Sequence, residues 1–182
     1  LVAGRPLSED EMLARAEEVT DAVLRFGLTF FEAVTVLAFH AFARESVDVA
    51  VIEVGLGGRL DATNVLRPEV AAVTNVAMDH TDYLGDSLEK IAWEKAGIVK
   101  PGVPLVTAET DRRLLDVFRD VTGAVGAPLI TMDPDSVEDV EIAADHTSFA
   151  VQTHVWGRLE VQTPLVGRHQ ATNAALAIAL LA

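Results

Sequence analysis

The chain has 182 residues, of which half are apolar, 23% are charged and none is cysteine. This composition excludes a disordered or low-complexity protein, and the lack of cysteine excludes disulfide and thiolate chemistry. The net charge of −14 opposes nonspecific binding to nucleic acid or anionic membranes. No uncharged run is long enough to cross a bilayer. We therefore expect a cytoplasmic globular domain that neutralises any anionic ligand locally, with a metal ion, a helix N-terminus or an arginine.

Two helices are predicted at the start of the chain. Ser8-Glu-Asp-Glu11 has the spacing of a capping box, and Gly27 provides a stop signal for the helix that follows. The apolar residues of this helix fall on one stripe: Met12, Leu13, Ala16, Val19 and Val23. Thr29-Phe-Phe-Glu32 repeats the capping pattern, and the segment that follows, to about Ala43, is apolar nearly all round. This second helix is therefore expected to be deeply buried.

Strand patterns alternate with helix patterns along most of the remaining chain. Val47–Val54 is a continuous apolar run, which is typical of a central parallel strand covered on both faces. Further strands are predicted at Val70–Val76, Val103–Thr107 and Leu129–Met132, with intervening helices that start at Ser87 and Asp111. This order predicts an α/β fold with a doubly wound, mostly parallel sheet.

The last fifty residues change pattern. Thr147–Val155 and Arg158–Thr163 alternate in polarity around Trp156-Gly157, which predicts an antiparallel hairpin attached to the sheet. Gly167 opens a final apolar helix.

Polar residues follow two of the predicted strands. In open parallel sheets ligands bind beyond the C-terminal ends of the strands, so Glu53 and His80 are candidates for one shared site. The structural alternative for Glu53 is a carboxylate bonded to backbone N–H groups of the following glycine-rich loop. For His80 the alternatives are a plain turn residue or a metal ligand oriented by Asp79 and Asp82.

Three further features have both a structural and a functional interpretation. Lys95 is either a snorkelling side chain or a buried amine that loses its proton easily. The loop Gly55–Asn64 matches neither the dinucleotide fingerprint nor a phosphate-binding loop, but its Arg59 and Asp61 are candidates for a charge clamp on a ligand. Asn173 either contacts an adenine edge or is an ordinary polar residue of the first helical turn.

Four motifs together resemble the folylpolyglutamate synthase and dihydrofolate synthase family of the Mur ligase superfamily. They are Glu53-Val-Gly-Leu-Gly-Gly-Arg-Leu-Asp-Ala-Thr-Asn64, Met78-Asp-His-Thr-Asp-Tyr-Leu-Gly85, Glu94-Lys-Ala-Gly-Ile98 and Gly167-Arg-His-Gln-Ala-Thr-Asn173. The resemblance covers almost the whole chain. It is specific, because cell-wall Mur ligases carry a different, serine-containing sequence after the same glutamate.

The resemblance implies an ATP-dependent ligase that adds L-glutamate to dihydropteroate or to the terminal glutamate of tetrahydrofolate polyglutamates, through an acyl phosphate, with release of ADP and phosphate. Glu53 and His80 match the family's Mg²⁺ ligands, and Lys95 matches a carbamylated lysine that holds a second metal ion. Asn173 matches the adenine contact of the ATP site. The stretches that match the pteroate site are Thr29, Phe30, Phe31 and Glu32, and Leu60, Asp61 and Ala62.

The resemblance also predicts what lies within residues 1–182. They match a partial central ATP-binding domain, like that of P-loop NTPases, without the P-loop segment and the C-terminal domain. We therefore expect an internal piece that is inactive and poorly soluble alone, from a parent enzyme that is monomeric. Two alternatives are a non-catalytic scaffold or ligand-sensing paralogue, and a Mur-type peptidoglycan ligase, against which the Gly57–Asn64 sequence argues.

Overall fold

The computed structural model describes all 182 residues, which divide into two compact units. The first unit comprises Leu1–Leu56 and Asp61–Val65, and the second comprises Gly57–Leu60 and Leu66–Ala182. Among its helices, none combines the length and the apolar character that a membrane span requires.

Helices dominate the first unit. Helix α1 (Glu9–Phe26) and helix α2 (Phe30–Arg44) are followed, after an irregular segment, by a 3₁₀ turn at Ala62–Val65. Both predicted capping boxes are confirmed, since the side chains of Ser8 and Thr29 accept from backbone N–H groups three residues ahead. Gly27 closes α1 in the left-handed conformation, with φ of 62°, which glycine adopts without the steric cost of a Cβ atom.

Two predictions for the first unit are wrong. Helix α2 is not deeply buried, because only Thr35 and Ala41 are buried and Phe30 is 84% exposed. The run Val47–Val54 is not a strand, and Val49 and Val51 are 82% and 94% exposed. A strand needs a hydrogen-bonded neighbour, and neither sheet of the structure includes this segment. The apolar composition of the run predicted burial, but it did not specify a neighbouring strand to pair with.

A parallel sheet organises the start of the second unit. Its strands β1 (Ala71–Val73), β2 (Leu105–Thr107) and β3 (Leu129–Thr131) pair in that order. Helices α3 (Thr81–Leu84) and α4 (Leu88–Ala96) connect β1 to β2, and α5 (Arg112–Ala124) connects β2 to β3. The core is formed by buried residues of the sheet and helices: Ala71, Val73, Ala92, Ala96, Val99, Leu105, Leu114 and Phe118. The predicted α/β class is confirmed.

The C-terminal part forms a separate antiparallel sheet. Its strands are β4 (Val137–Ile142), β5 (Thr147–Thr153) and β6 (Gly157–Thr163), and helix α6 (Arg168–Leu180) packs on it. The β5–β6 hairpin is confirmed, but it pairs with β4 and not with the parallel sheet. Sequence analysis missed β4 because a register shift between Glu138 and Glu141 interrupts the two-residue alternation that marks a strand.

Candidate active site

Asp61 organises the glycine-rich loop within the first unit. Its carboxylate accepts hydrogen bonds from the backbone N–H groups of Gly55 at 3.0 Å, Leu56 at 3.1 Å and Thr63 at 2.9 Å. The hydroxyl of Thr63 donates a further bond at 2.6 Å. Burial acts to raise the pKa of Asp61, but the bonds from Thr63, Leu56 and Gly55 outweigh it and hold that pKa below its ordinary value. Asp61 is therefore committed to holding the loop.

Arg59 is committed to a neighbouring residue in the second unit. Its Nε and Nη2 donate to the two carboxylate oxygens of Glu94 at 3.2 and 2.9 Å, and its guanidinium lies 4.6 Å from the centre of the Trp93 ring. The charge clamp on a ligand, made by Arg59 and Asp61, stays a prediction, since these bonds show only that each side chain already has protein partners. Both side chains hold protein groups, because buried or half-buried charges in a loop need partners whether or not a ligand is present. Sequence analysis missed the Trp93-Glu94 partner.

Two glycines allow the loop to approach the end of helix α4. A Cβ atom at Gly58 would lie 3.0 Å from the carbonyl oxygen of Lys95 and 3.1 Å from that of Glu94. A Cβ atom at Gly97 would clash with the side chain of Arg59. The backbone N–H of Arg59 donates to the carbonyl oxygen of Glu94 at 2.9 Å. Gly58 and Arg59 thus lie against the backbone that carries Lys95, and Arg59 is bonded to it.

Lys95 lies one residue before the end of helix α4. Ser87 is the N-cap of this helix, as predicted, and Gly97 is its C-cap. Its Ile91, Ala92 and Ala96 are buried in the unit's core. Lys95 itself is half-buried. Half-burial fits both a snorkelling side chain and a buried amine, so the role of Lys95 stays a prediction.

His80 has a backbone conformation that side chains rarely adopt. With φ of 48° and ψ of 41° it is left-handed, and it serves as the N-cap of α3. Its own N–H donates to Asp79 Oδ1 at 2.8 Å, and its ring Nε2 lies 3.6 Å from Asp79 Oδ2. The imidazole is exposed. Ala3, Ser46 and Asp139 adopt the same left-handed backbone, so the conformation fits a plain turn residue as well as a metal ligand, and the role of His80 stays a prediction.

Glu109 ties the turn after β1 to the turn after β2. Its carboxylate accepts from the backbone N–H groups of Val76 at 3.0 Å, Thr110 at 2.8 Å and Asp111 at 2.9 Å. The Val76 N–H that Glu109 accepts lies beyond the carboxyl end of β1, four residues before His80 along the chain. Sequence analysis did not single it out, because an isolated glutamate in a turn carries no motif.

Glu53 lies on the exposed, irregular segment of the first unit. The alternative in which it anchors the glycine-rich loop has little support, because Asp61 accepts the N–H groups of Gly55 and Leu56. No group of three or more His, Cys, Asp or Glu side chains is placed to hold a metal ion. The predicted set contains only two such residues, Glu53 in the first unit and His80 in the second. A protonated lysine cannot bind a cation. With Lys95 as a carbamate, however, Glu53 and Lys95 would both offer carboxylate oxygens, which Mg²⁺ prefers.

Of the residues predicted to contact pteroate, at 29–32 and 60–62, some are hydrogen-bonded within the protein and others are exposed. Glu32 accepts from the N–H and hydroxyl of Thr29 at 2.8 and 2.7 Å, and these bonds lower the pKa of Glu32. The Phe31 ring lies so close to Gly55 that a Cβ atom there would clash with it. Phe30 is exposed, as is Leu60 in the second unit, and Ala62 is half-buried.

Asn173 lies on the second turn of α6, because the helix begins at Arg168. The alternative of a first-turn polar residue is therefore wrong. Its side-chain amide donates to Gln170 at 3.3 Å, and the residue is exposed.

The Mur ligase middle domain family matches residues 11–181. The chain belongs to this family. Among curated relatives, the dihydrofolate synthase/folylpolyglutamate synthase of Bacillus subtilis is 37% identical over 97% of the chain and 43% of its own length. The corresponding Mycobacterium tuberculosis protein is 34% identical over 98% of the chain and 41% of its length. The chain thus spans less than half the length of these two relatives.

Solved structures agree with this family membership. A Mycobacterium tuberculosis folylpolyglutamate synthase complexed with ADP and AMPPCP is 35% identical, with a TM-score of 0.89 over 97% of this chain and 43% of that chain. The apo form of the Lacticaseibacillus casei enzyme is 34% identical, with a TM-score of 0.88 over 96% of this chain and 45% of that chain. The Mur ligase middle domain therefore extends over both units described above.

Proposed function

We propose that this chain is part of an ATP-dependent ligase that adds L-glutamate to dihydropteroate or to the terminal glutamate of folates. The observation that carries the proposal is the alignment of 97% of the chain with a Bacillus subtilis relative named for both activities. A neighbour described as an FPGS–AMPPCP–folate complex, with a TM-score of 0.89, supports ATP and folate as substrates. ATP would phosphorylate the substrate carboxylate, and the glutamate amine would displace phosphate from the acyl phosphate.

Glu53, His80 and Lys95 are the proposed ligands of Mg²⁺. When bound, Mg²⁺ neutralises negative charge on phosphate oxygens during phosphoryl transfer. Glu53 supplies an exposed carboxylate and His80 an exposed imidazole beside Asp79. Lys95 contributes as a carbamate, which requires the neutral amine to react with CO₂ and gives an anion in place of a cation.

The substrate residues divide by their contacts. Phe30 and Leu60 present exposed apolar side chains, which suits contact with a pteroate ring. Thr29, Glu32 and Asp61 act through the backbone they fix, because their polar atoms already have partners. Asn173 supplies an exposed amide for adenine. A monomeric state, a cytoplasmic location and the absence of a nucleic-acid partner remain predictions.

The full-length protein tests this function. With ATP, Mg²⁺, glutamate and either dihydropteroate or tetrahydrofolate, ADP release should depend on the folate substrate. Glu53→Gln and His80→Ala should each lower kcat/KM by at least about a hundredfold. Loss of a residue that only orients a metal ligand lowers activity by up to about a hundredfold, and loss of the ligand itself should cost no less. Glu17→Gln, an exposed glutamate on α1, is the matched control and should retain the wild-type rate. ADP release that is independent of any folate substrate would refute the proposal.

Lys95 has its own test. Lys95→Ala should abolish the reaction, and acetate should restore part of it by supplying the missing carboxylate. Chloride at the same ionic strength is the control. A Lys95→Ala enzyme with the wild-type rate would remove Lys95 from the site.

A further inference from the structure

We propose that Arg59 is a positioning residue for Lys95. It fixes the last turn of helix α4 and thereby the point from which the Lys95 side chain projects. The inference rests on the proposed function, in which Lys95 contributes to the metal site.

The guanidinium of Arg59 contacts two side chains in the last turns of helix α4. It donates two hydrogen bonds to Glu94 and lies over the ring of Trp93, so it holds the two residues immediately before Lys95. The Glu94 side chain is only 17% exposed. The Arg59 side chain is 37% exposed, so the pair is partly shielded from water, and its bidentate geometry fixes it better than a single contact would.

Backbone contacts also join Gly58 and Arg59 to the end of helix α4. Arg59 donates its N–H to the carbonyl of Glu94, and Gly58 lies against the carbonyls of Glu94 and Lys95. Gly97, two residues after Lys95, leaves the space that the Arg59 side chain occupies. Residues before and after Lys95 are therefore fixed by one short piece of the loop.

The position of Lys95 in its helix explains why such support is needed. The last four carbonyls of a helix lack intrahelical partners, and helix ends open more easily than helix centres. Lys95 lies in this last turn, at the end of a nine-residue helix. Its four-carbon side chain adds rotational freedom, so loss of a fixed backbone would spread the amine over many positions.

The experiment compares Arg59→Met, Glu94→Gln and the double variant in the full-length protein. Arg5→Met is the matched control, because Arg5 also makes a bidentate pair, with Glu11 at 3.0 and 3.1 Å. The first readout is the Mg²⁺ concentration for half-maximal rate, which should rise about tenfold to a hundredfold in both single variants. The double variant should be no worse than the worse single variant, since both remove one interaction. Arg5→Met should match the wild type.

The second readout does not depend on activity. Competitive amine labelling followed by mass spectrometry gives the labelling rate of Lys95 relative to Lys90, which pairs with Asp86 on the exposed side of the same helix. Arg59→Met should raise this ratio, because Lys95 then leaves its fixed position, and Arg5→Met should not. If Arg59→Met does not fold, Arg59→Lys, which keeps the charge but loses the bidentate geometry, should shift both readouts in the same direction.

The outcomes separate this inference from the function it rests on. A folded Arg59→Met protein with unchanged Mg²⁺ requirement and unchanged labelling ratio would overturn it, as would a lowered melting temperature without either shift. If the wild-type protein shows no folate-dependent ADP release, the proposed function fails, and the labelling ratio alone still decides whether Arg59 positions Lys95.

Discussion

The two units of the chain differ in how far apolar residues are buried. In the second unit Leu105 and Phe118 are completely buried between the parallel sheet and its helices. In the first unit the apolar residues of α1, α2 and the run 47–54 are mostly half-buried or exposed. Of the two helices, only Val19, Thr35 and Ala41 are buried.

Helix boundaries show no such difference. Capping residues begin α1 and α2 in the first unit and α4 and α5 in the second, each by accepting a backbone N–H. Capping depends on residues two or three positions apart, whereas burial depends on elements distant in sequence. A short segment therefore determines where a helix begins, whereas burial of its apolar residues requires other elements to pack against it.

The largest effect is expected at Phe118. Phe118→Ala should lower the free energy of unfolding of the second unit by about 3–5 kcal/mol, since it leaves a cavity in a closely packed core. Hydrogen exchange of peptides from β2 and α5, measured by mass spectrometry, reports that loss locally.

Phe26, exposed at the end of α1 where Arg25 stacks on its ring, is the matched control. Phe26→Ala should change the local free energy of unfolding by less than about 1 kcal/mol. Equal losses for the two substitutions would show that the first unit has a core comparable to that of the second.

Capping should give an intermediate effect that is the same in both units. Ser8→Ala and Ser87→Ala should each cost about 1 kcal/mol, because each leaves a first-turn N–H without its acceptor. Urea unfolding followed by circular dichroism measures the loss, with Ser8→Thr and Ser87→Thr as controls that keep the hydroxyl. A cost at Ser87 several times that at Ser8 would show that helix α4 depends on its cap through the core it packs on.

Sequence analysis succeeded for the elements that local rules determine. The boundaries of α1, α2, α4 and α5 and the β5–β6 hairpin follow from caps, turns and alternation. It failed for the run 47–54, because strand formation requires a neighbour that apolar composition does not specify. It failed for β4, because a bulge hides the alternation.

In the candidate site too, local sequence predicted some features, and others depend on the tertiary fold. The motifs singled out Lys95 and His80, and the structure gives each a defined backbone position at a helix end or turn. The partner of Arg59 was not predictable, because a contact between residues as far apart as Arg59 and Glu94 depends on the tertiary fold. Charges that look available to a ligand in sequence are frequently satisfied by the protein itself.

The smallest effect concerns the ion pairs between α1 and α2. Glu18 accepts from His40 at 2.7 Å and Arg44 at 2.9 Å, and these partners, with Arg15, lower the pKa of Glu18 from 4.5 to about 2. A carboxyl whose pKa falls on folding stabilises the fold above its unfolded pKa, and this contribution is lost as the pH falls from 4.5 towards 2. The difference in urea midpoint between wild type and Glu18→Gln should therefore shrink between about pH 6 and about pH 3. A difference that stays constant over that range would mean that these pairs do not hold the two helices together, and that the few buried residues of the first unit do so alone.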